Sequence, residues 1–518
     1  MSTQVTVRDV TPVIDRVNPT LSDVKNATQI ETIPTQNRNI LNVLAFGPGV
    51  VAGGYGGSGA GNTRINGIPG GSLDYLVDGQ TMANRFTNEL DTNPQPTPTF
   101  QEVKIITTSG DAQFARPGVV ELVTKSGTNQ FHGQAFELNQ NNHLQAKPFN
   151  NANRIPFLQH NEWGAQLGGP IWLPKIYNGR NKTFFFVDFE WIQQNANAIQ
   201  QFTFPTQAMR GGDLSSLIGT DGNQINIYDP TTTSAAGPPF TRTQFSYNGT
   251  PNVIPPNRLN AITKKILGVT PVSGLVPLPE PNLTEPNYWQ YLPNYSAPHA
   301  ANTIRNKLYT AKVDQLFGPN RLAARYTYTK NNFVNPYLPL NPNVRIQGGH
   351  NGALTFTQVI SPKAINVVRT GIQYNMSFVG PAPISPPVTQ TLGLPTYTNT
   401  IAWPSFYWSY NDFGNTNDSY FTGIDRNNPK DNPNSAIMGS DQFSYNHGNH
   451  QLMFGFGVIN NRLTTYEVGQ PGGGYGFSGF FTGLQDPASV AKGLTMCLSP
   501  IVARDLGISC WAMRALSI

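Results

Sequence analysis

Two acidic side chains, Asp188 and Glu190, are the clearest candidates for chemistry in this sequence. They lie in a segment with strand character, so both carboxylates would project from one face of a strand, roughly 7 Å apart. Paired carboxylates are the groups that glycoside hydrolysis uses. The same spacing also fits two polar side chains on the wet side of a β-structure, and we favour that interpretation.

Other chemical motifs are weaker. Gly54, Gly56 and Gly59 match the spacing G-x-G-x-x-G, but turn-forming residues follow them where a dinucleotide site needs a helix. His447 and His450 form the only close histidine pair, and no cluster of cysteines or carboxylates completes a metal site near them. The sequence therefore predicts no enzyme activity, no bound metal and no cofactor.

The composition favours a β-structure in contact with an apolar medium. Charged residues make up 12% of the chain and aromatic residues 11%, with 50 Gly and 43 Pro. Few charges, many rings and many turn-formers are typical of a large antiparallel β-structure that faces lipid on one side. The basic residues are scattered, whereas a nucleic-acid site needs a dense stripe, so no nucleic-acid partner is predicted. No apolar run of about 18 residues predicts a transmembrane helix.

About ten segments after residue 130 have the length and alternation of membrane-barrel strands. In Arg321–Lys330, for example, Leu322 and Tyr326 share one face, and Arg325 and Thr327 share the other. We expect the apolar faces to meet lipid and the polar faces to line a lumen. The segments are Phe131–Asn139, Glu162–Trp172, Thr183–Gln193, Ala198–Phe204, Asn306–Phe317, Arg321–Lys330, Ala353–Ile360, Ala364–Phe378, Met438–Asn446 and Gln451–Asn460.

Long segments rich in Pro, Asn, Gly and Thr separate several of these strands. They are predicted to be structureless loops over Thr206–Asn302, Asn332–His350 and Pro381–Asn434. Such loops are unusual in compact soluble domains but are normal on the outer side of membrane barrels. The aromatic runs Phe184–Phe186 and Phe202–Phe204 could stack sugars or bases, but we expect them to belong to a membrane-interface girdle.

A compact mixed domain is predicted before the barrel strands. Glu102–Thr108 and Gly118–Thr124 are β-rich runs separated by a turn-forming Ser-Gly-Asp. Arg64–Ile68 and Leu73–Val77 are predicted to be two strands joined by a Pro-Gly-Gly turn, and Asn39–Leu44 is predicted to be a short helix.

Several spaced motifs at the end of this domain resemble the TonB-dependent outer-membrane receptors, and within them the Oar-like group. The motifs are Gln101-Glu102-Val103, Gln113-Phe114-Ala115-Arg116, Gly118-Val119-Val120, Val123-Thr124-Lys125-Ser126-Gly127-Thr128-Asn129 and Phe131-His132-Gly133. They occur in the order found where the plug of such a receptor ends and its barrel begins.

The resemblance implies a structural plug motif, with no catalytic, cofactor-binding or metal-binding residue. Asp78 is expected to be a carboxylate that caps a turn, because Asp-Gly favours tight turns. The motif residues are Asn66, Gly67, Asp78, Gly79, Phe114, Arg116, Gly118, Lys125, Ser126 and Gly127.

The predicted fold class is mainly β: a small α+β plug domain followed by an antiparallel transmembrane β-barrel. Residues 1–25 are expected to be the tail of a carboxypeptidase-regulatory-like β-sandwich or a linker, and 26–128 the plug. Residues 129–491 would form the barrel with long extracellular loops, and 492–518 an atypical C-terminal tail. Plugged transporters use about 22 strands, so about ten strands indicate a fragment with a partial barrel.

The resemblance also implies a function and a location. A receptor in the cell outer membrane would take up a small-molecule or glycan ligand through its plugged barrel, gated by a TonB-type protein acting on a segment missing here. The N-terminus contains no signal peptide, so we expect the chain to start inside a longer product. Two alternatives are an outer-membrane adhesion or surface-display protein without transport, and a secreted β-rich protein that acts on glycans.

Overall fold

The structure is a computed structural model in which two β-assemblies follow each other along the chain. The residues that it describes are 21–33, 38, 40–51, 64–69, 72–83, 97–108, 114, 116, 118–146, 155, 157–197, 201–217, 224–234, 241–273, 278–283, 294–296, 301–335, 343–381, 388–394, 404–407, 429–468, 474–476, 484–485 and 497–498.

The first assembly is a small sheet with helical turns, here called the plug. Its helical elements are α1 (Ala27–Thr32) and the 3₁₀ helices Ile40–Phe46 and Thr97–Thr99. Its strands are β1 (Leu21–Asn26), β2 (Val50–Val51), β3 (Arg64–Ile65), β4 (Ile68–Pro69), β5 (Leu73–Val77), β6 (Gln80–Thr81), β7 (Phe100–Thr108) and β8 (Gly118–Thr124).

The plug sheet has the strand order β1-β7-β8-β5-β6, in which only β5 and β8 run parallel. Alternate residues of β5 are buried, and Tyr75 packs with Phe100 and Leu122 in a core made of plug residues alone. Asn26 and Gln29 begin α1 with a capping box, in which each side chain accepts from the other's backbone N–H.

The structure corrects the predicted strand Arg64–Ile68, which is not continuous, whereas Gly70 and Gly71 of the predicted Pro-Gly-Gly turn lie outside the described residues. The chain reverses instead at Asn66-Gly67, because both residues have positive φ (50° and 82°), as a tight hairpin between β3 and β4 requires. The strand β1 is hydrogen-bonded to β7, so the plug sheet begins before the predicted boundary at residue 26. The predicted helix at Asn39–Leu44 is the 3₁₀ helix at Ile40–Phe46.

The second assembly is an antiparallel sheet with nine long strands in chain order, each paired with the next. Among the described residues the two edge strands do not pair with each other, so this barrel wall is open. The strands are β9 (His132–Asn141), β10 (Leu158–Pro170), β11 (Thr183–Asn197), β12 (Ala301–Phe317), β13 (Asn320–Asn335), β14 (Asn343–Ser361), β15 (Ala364–Pro381), β16 (Asn434–His447) and β17 (His450–Leu463).

Short paired segments accompany the long strands. Lys430–Asp431 pairs with β15 and with Tyr466–Glu467. Outside the two main sheets, the pairs are Trp172–Leu173 with Tyr177–Asn178, Gln201–Phe202 with Tyr295–Ser296, Ser246–Tyr247 with Thr250–Pro251, Ser405–Tyr407 with Gly474–Gly476, and Leu484–Gln485 with Cys497–Leu498. Apart from Cys497–Leu498, the predicted tail at 492–518 lies outside the described residues.

The mainly β fold class is confirmed, but one of the predicted barrel strands is wrong. In the described part of Ala198–Phe204, residues 201–204, the strand is Gln201–Phe202, and it pairs with Tyr295–Ser296 instead of a barrel strand. The backbone of Phe204 is held by Asn294, whose Oδ1 accepts from the Phe204 N–H at 2.8 Å and whose Nδ2 donates to its carbonyl at 2.7 Å. Because Phe204 is buried in this loop, it is not a girdle residue.

The predicted structureless loops are also corrected. The strands β13 and β14 extend through most of Asn332–His350. The loop at Thr206–Asn302 is folded around the buried Arg210, which donates to the carbonyl oxygens of four residues. The helices of this loop are α2 (Gln207–Arg210) and α3 (Ala261–Ile266), and its 3₁₀ turns are Pro230–Thr232 and Pro256–Arg258. A further helix, α4 (Val388–Leu392), belongs to the loop after β15 and contacts α3. The acceptors of Arg210 are Pro205, Leu267, Leu278 and Pro279.

The two ends of the barrel wall differ. Tight turns join β12 to β13, β14 to β15 and β16 to β17 at one end, and the long loops leave from the other. In the outer-membrane barrels that the chain resembles, short turns face the periplasm, so the resemblance implies that the folded loops face the cell exterior. A row of rings, with neighbouring centroids 5.0–6.4 Å apart, crosses the outer face of six strands. The row consists of Trp163, Phe189, Tyr309, Tyr328, His350 and Tyr374.

In the described part of the chain, no helix has both the length and the apolar character needed to cross a membrane.

The burial of Phe204 yields a stability prediction. The change Phe204→Ala removes a ring that is 1% exposed, so we expect the folded loop to lose about 3–5 kcal/mol of local stability. Hydrogen exchange of the amides in 207–217 measures this loss. Phe456→Ala, at a ring 73% exposed on β17, is the matched control and should leave those amides unchanged. Equal exchange in the two variants would contradict the loop core.

Candidate functional site: the interface between plug and barrel

The interface is centred on Asp78, which lies in the turn between β5 and β6. Asp78 and Gly79 both have positive φ (50° and 76°), a conformation that Asp and Gly tolerate better than most residues. The Asp78 carboxylate accepts from Thr124 at the end of β8, at 3.1 Å from the backbone N and at 2.7 Å from Oγ1. The carboxylate thus ties the turn to the neighbouring strand of the plug.

Two buried cations of the barrel wall reach the same carboxylate. Lys312 on β12 places Nζ 3.2 Å from one Asp78 oxygen, and Arg325 on β13 places Nε 2.9 Å from the other. Lys312 also donates to the Thr124 carbonyl and hydroxyl, and Arg325 donates to Asn351 Oδ1 at 2.7 Å. We call these five residues the Asp78 cluster: Asp78, Thr124, Lys312, Arg325 and Asn351.

The electrostatics of the Asp78 cluster keep its carboxylate ionised. Burial alone would raise the pKa of Asp78, but Arg325, Lys312 and the hydrogen bonds from Thr124 together hold that pKa below its usual value. Removing one partner of a buried ion pair is strongly destabilising, because the remaining charge is left without compensation. The plug therefore supplies the anion that the two barrel cations need.

A second set of contacts involves the acidic pair that the sequence singled out. Asp188 and Glu190 on β11 are buried and face the plug. Thr99 of the plug donates to Asp188 Oδ2 at 2.6 Å. Arg38 lies 3.1 Å from Glu162 and 3.9 Å from Glu190, with its guanidinium 4.0 Å from the centroid of the Phe136 ring. The two carboxylates thus bind the plug from the wet face of the wall.

A third set of contacts fixes the β5–β6 turn and the exit from the plug. Gln373 on β15 donates to the carbonyl oxygens of Met82 and Ala83, both at 3.0 Å. At Gly79, a Cβ would lie 2.8 Å from Arg369 Nε, and at Gly127 a Cβ would lie 2.3 Å from a barrel carbonyl. A side chain at Gly127 would therefore push the plug away from the barrel backbone, whereas one at Gly79 would require the Arg369 side chain to shift.

The other predicted motif residues lie at several places in the plug. Asn66 donates to the Thr107 carbonyl at 3.0 Å, and Gly67 completes the β3–β4 turn. Phe114 is half-buried between β7 and β8, and Gly118 begins β8 beside Leu73.

Three motif residues carry polar side-chain contacts away from the Asp78 cluster. Arg116 lies 3.3 Å from Asp74, and Lys125 pairs with Glu31 at 2.8 Å. Ser126 Oγ accepts from Arg321 on β13 at 3.5 Å. Of the ten motif residues, Asp78, Gly79, Ser126 and Gly127 therefore lie against the barrel wall.

The sequence alone missed the barrel side of the interface. Lys312, Arg325 and Asn351 were not singled out, although Arg325 was placed on the polar face of its strand. A basic residue on the wet face of each of two neighbouring strands was the available signal, because two buried cations require an anion. The histidines of the β16–β17 turn pair across it, and no group of three metal-binding side chains occurs among the described residues.

The interface differs in character from the plug interior. All members of the plug core lie between Ile30 and Leu122, and none comes from the described barrel strands. The contacts to the wall described above are ion pairs and hydrogen bonds, most of them to charged groups, for which water is an alternative partner. The plug is therefore held against the wall by polar contacts, whereas its own core is packed separately.

Comparison with known protein families gives two matches. The model of the outer membrane beta barrel domain matches residues 123–499, and that of the TonB-dependent receptor plug domain matches residues 16–119. A comparison with curated proteins finds no significant match.

Solved structures with a similar backbone include the outer membrane transporter YddB from Escherichia coli, with a TM-score of 0.48 and 12% identity. A mutant of the ferric enterobactin receptor PfeA from Pseudomonas aeruginosa has a TM-score of 0.43 and 12% identity, and the ferric-catecholate import receptor Fiu from E. coli K12 has 0.41 and 9%. Each match covers 86% of this chain, which spans 48%, 49% and 60% of the three structures, respectively.

The Asp78 cluster predicts that loss of the Asp78 charge weakens the binding of the plug to the barrel wall. In Asp78→Asn both barrel cations stay buried without their anion, so plug seating should weaken by about 3–5 kcal/mol. Protease sensitivity of residues 72–83 in the detergent-solubilised protein measures the change. Glu31→Gln removes the more exposed pair with Lys125 and is the control, with an effect of at most about 1 kcal/mol. Equal sensitivity of the two variants would count against the cluster.

The lowered pKa of Asp78 predicts the acid response of plug seating. A carboxyl with a lowered pKa in the folded state contributes stability that is fully present above its unfolded pKa, about 3.9, and is lost as pH falls through the lower folded value. Pepsin cleavage of the plug should therefore rise below about pH 4. Asp78→Asn should cleave readily already at pH 5 and show a smaller further rise. Identical pH profiles for the two proteins would contradict this role of Asp78.

Proposed function

Because the chain belongs to the outer membrane beta barrel domain family and carries a TonB-dependent receptor plug domain, we propose that it takes up a ligand through its plugged barrel. The family places the chain in the outer membrane. The energy for uptake comes from a TonB-type protein that pulls on the N-terminal side of the plug.

One observation carries this proposal: the plug has its own apolar core, yet polar groups hold it against the wall. A permanent stopper would share an apolar core with the barrel, whose burial cannot be exchanged for water without cost. Ion pairs and hydrogen bonds have a second stable arrangement, in which water solvates each partner. The plug is therefore an obstruction with two states, and a pull selects the displaced one.

The sheet order gives the pull a route. The strand β1 is the first described strand and lies at the edge of the plug sheet, where it pairs with β7 along its whole length. The strand β7 begins next to Thr99, the donor to Asp188, and pairs with β8, which ends at Thr124 in the Asp78 cluster. Force on β1 thus reaches two of the polar contacts through directly paired strands.

The domain limits and the motif belong to the same proposal. We assign 26–128 to the plug and extend the plug toward the N-terminus to include β1. We assign 129–491 to the barrel with its outer loops. The rest of 1–25 is a linker or the tail of a sandwich domain, and 492–518 is a separate tail. The ten motif residues shape the plug and its exit and carry no chemistry. The Oar-like subgroup stays a prediction, and the ligand is a small molecule or glycan that reaches the plug from the outer loops.

A cross-link between plug and wall tests uptake directly. Thr99→Cys with Asp188→Cys places two thiols where side-chain oxygens lie 2.6 Å apart, so a short bifunctional thiol reagent can bridge them. Cells that express the full-length protein receive a defined mixture of ferric siderophores and neutral oligosaccharides, and depletion of each compound is followed by mass spectrometry. At least one compound should be depleted, and this depletion should stop after cross-linking and in cells without the TonB-type protein.

The single-cysteine variants, treated with the same reagent, are the matched controls and should deplete that compound normally. Depletion that persists in the cross-linked protein would contradict plug displacement. No depletion of any compound, together with retained binding of cells to a surface, would support display or adhesion in place of uptake.

A further inference from the structure

Two lysines stand directly opposite each other on neighbouring strands of the barrel wall. Lys307 on β12 is in register with Lys330 on β13. Strand alternation places Lys307 on the same face of β12 as Tyr309, and Lys330 on the same face of β13 as Tyr326. Because these tyrosines are 41% and 47% exposed, this face is the outer one. Like charges directly opposite each other across two strands are destabilising.

Among the residues that the structure describes, no acidic side chain forms an ion pair with either lysine. None of the ion pairs formed in the described part of the chain includes Lys307 or Lys330. Lys307 Nζ lies 4.5 Å from the centroid of the Trp191 ring, a contact that orients the cation without neutralising it. Arg305, two positions nearer the exterior, donates to the Gln194 carbonyl and to Asn195 Oδ1 and adds a third positive charge. This corner of the wall therefore attracts an anion.

An apolar groove of about 260 Å³ begins immediately below the lysines on the same outer face. Two small side chains, Ala165 on β10 and Ala311 on β12, leave the space on either side of β11, and larger apolar or aromatic side chains form its walls. A groove of this shape accepts a hydrocarbon chain, since its outer-face side chains offer carbon surface. These side chains are Ala165, Val187, Phe189, Tyr309, Ala311 and Tyr326; Asp188 and Thr310 also line the groove, and strand alternation places their side chains on the opposite face.

The position along the strands matches a lipid–water boundary. The lysines lie on the exterior side of the ring row that includes Tyr309 and Tyr328, and the groove lies on its membrane side. Aromatic rings mark the interface in membrane proteins, and lysines near it extend their charged ends to the headgroup layer. The charged and apolar parts of the site thus follow the order of headgroup and acyl chain in a lipid.

We propose that Lys307 and Lys330 bind the phosphorylated headgroup of an outer-leaflet lipid, one acyl chain of which lies in the groove over Ala165 and Ala311. The headgroup places its negative charge between the two ammonium groups and removes their mutual repulsion. The site rests on the outer-membrane location and is independent of transport and of the plug.

Native mass spectrometry of the full chain in detergent tests the site. The probes are dioleoyl phosphatidylglycerol, which is anionic, and dioleoyl phosphatidylcholine, which has the same chains without net charge. The wild type should retain phosphatidylglycerol preferentially. Lys307→Gln combined with Lys330→Gln should weaken that binding by roughly tenfold or more, because each basic side chain near an anionic headgroup adds to the attraction. Lys363→Gln at the β14–β15 turn is the matched control and should bind as the wild type does.

Two further measurements separate a lipid from a free anion. Ala311→Leu fills the groove from the lipid side, where added apolar volume does not disturb the plug face, and should weaken phosphatidylglycerol binding without changing the lysines. Inorganic phosphate at millimolar concentration should not displace the lipid. Equal binding of the two lipids, an unchanged affinity in the double lysine variant, or full displacement by inorganic phosphate with no effect of Ala311→Leu would each overturn the proposal.

Discussion

The rest of the structure depends on one carboxylate shared between two cations. Asp78 belongs to the plug, whereas Lys312 and Arg325 belong to adjacent strands of the wall, and all three are largely removed from water. The two sides complement each other: the wall supplies two positive charges and the turn supplies one negative charge, and these charges are buried together in the seated plug. The position of the plug in the barrel is thereby fixed by electrostatics, while its shape is fixed separately by an apolar core around Tyr75, Phe100 and Leu122.

The two faces of the barrel wall have opposite tasks. Toward the plug, the strands present acidic, basic and amide side chains such as Asp188, Arg325 and Gln373, each of which contacts a plug atom. Toward lipid, the same strands present Val187, Tyr326 and Ile372. Alternation along a strand makes both faces from one sequence, so the polar interface and the membrane surface arise from the same pattern. The exterior loop is a further unit, since Arg210 organises four carbonyl oxygens there.

Alternation explains which features could be predicted from sequence. Polar and apolar residues alternate at every second position in nine of the predicted segments, which identifies them as strands and places Arg325 on the polar face. This pattern can be seen without any knowledge of the tertiary structure. The pairing of β5 with β8 could not be read in this way, because it depends on packing between segments far apart in the chain. The fold of the loop around Arg210 was missed for the same reason: its proline- and asparagine-rich composition resembles that of an open loop. The partners of Asp78 required knowledge of which strands lie beside the plug.

The central claim is that the plug can leave its seat on the wall while its own core remains folded. Thiol labelling at the wall, compared with native-state hydrogen exchange of the plug core in increasing urea, tests this claim most directly in the full chain solubilised by detergent. The account predicts that the cysteine of Thr99→Cys, which lies against Asp188 of the wall, reacts at lower urea concentrations than those at which amides at 103–106 and 119–122 in the core lose protection. Labelling and loss of core protection at the same urea concentration would contradict it, because plug displacement and plug unfolding would then be a single event.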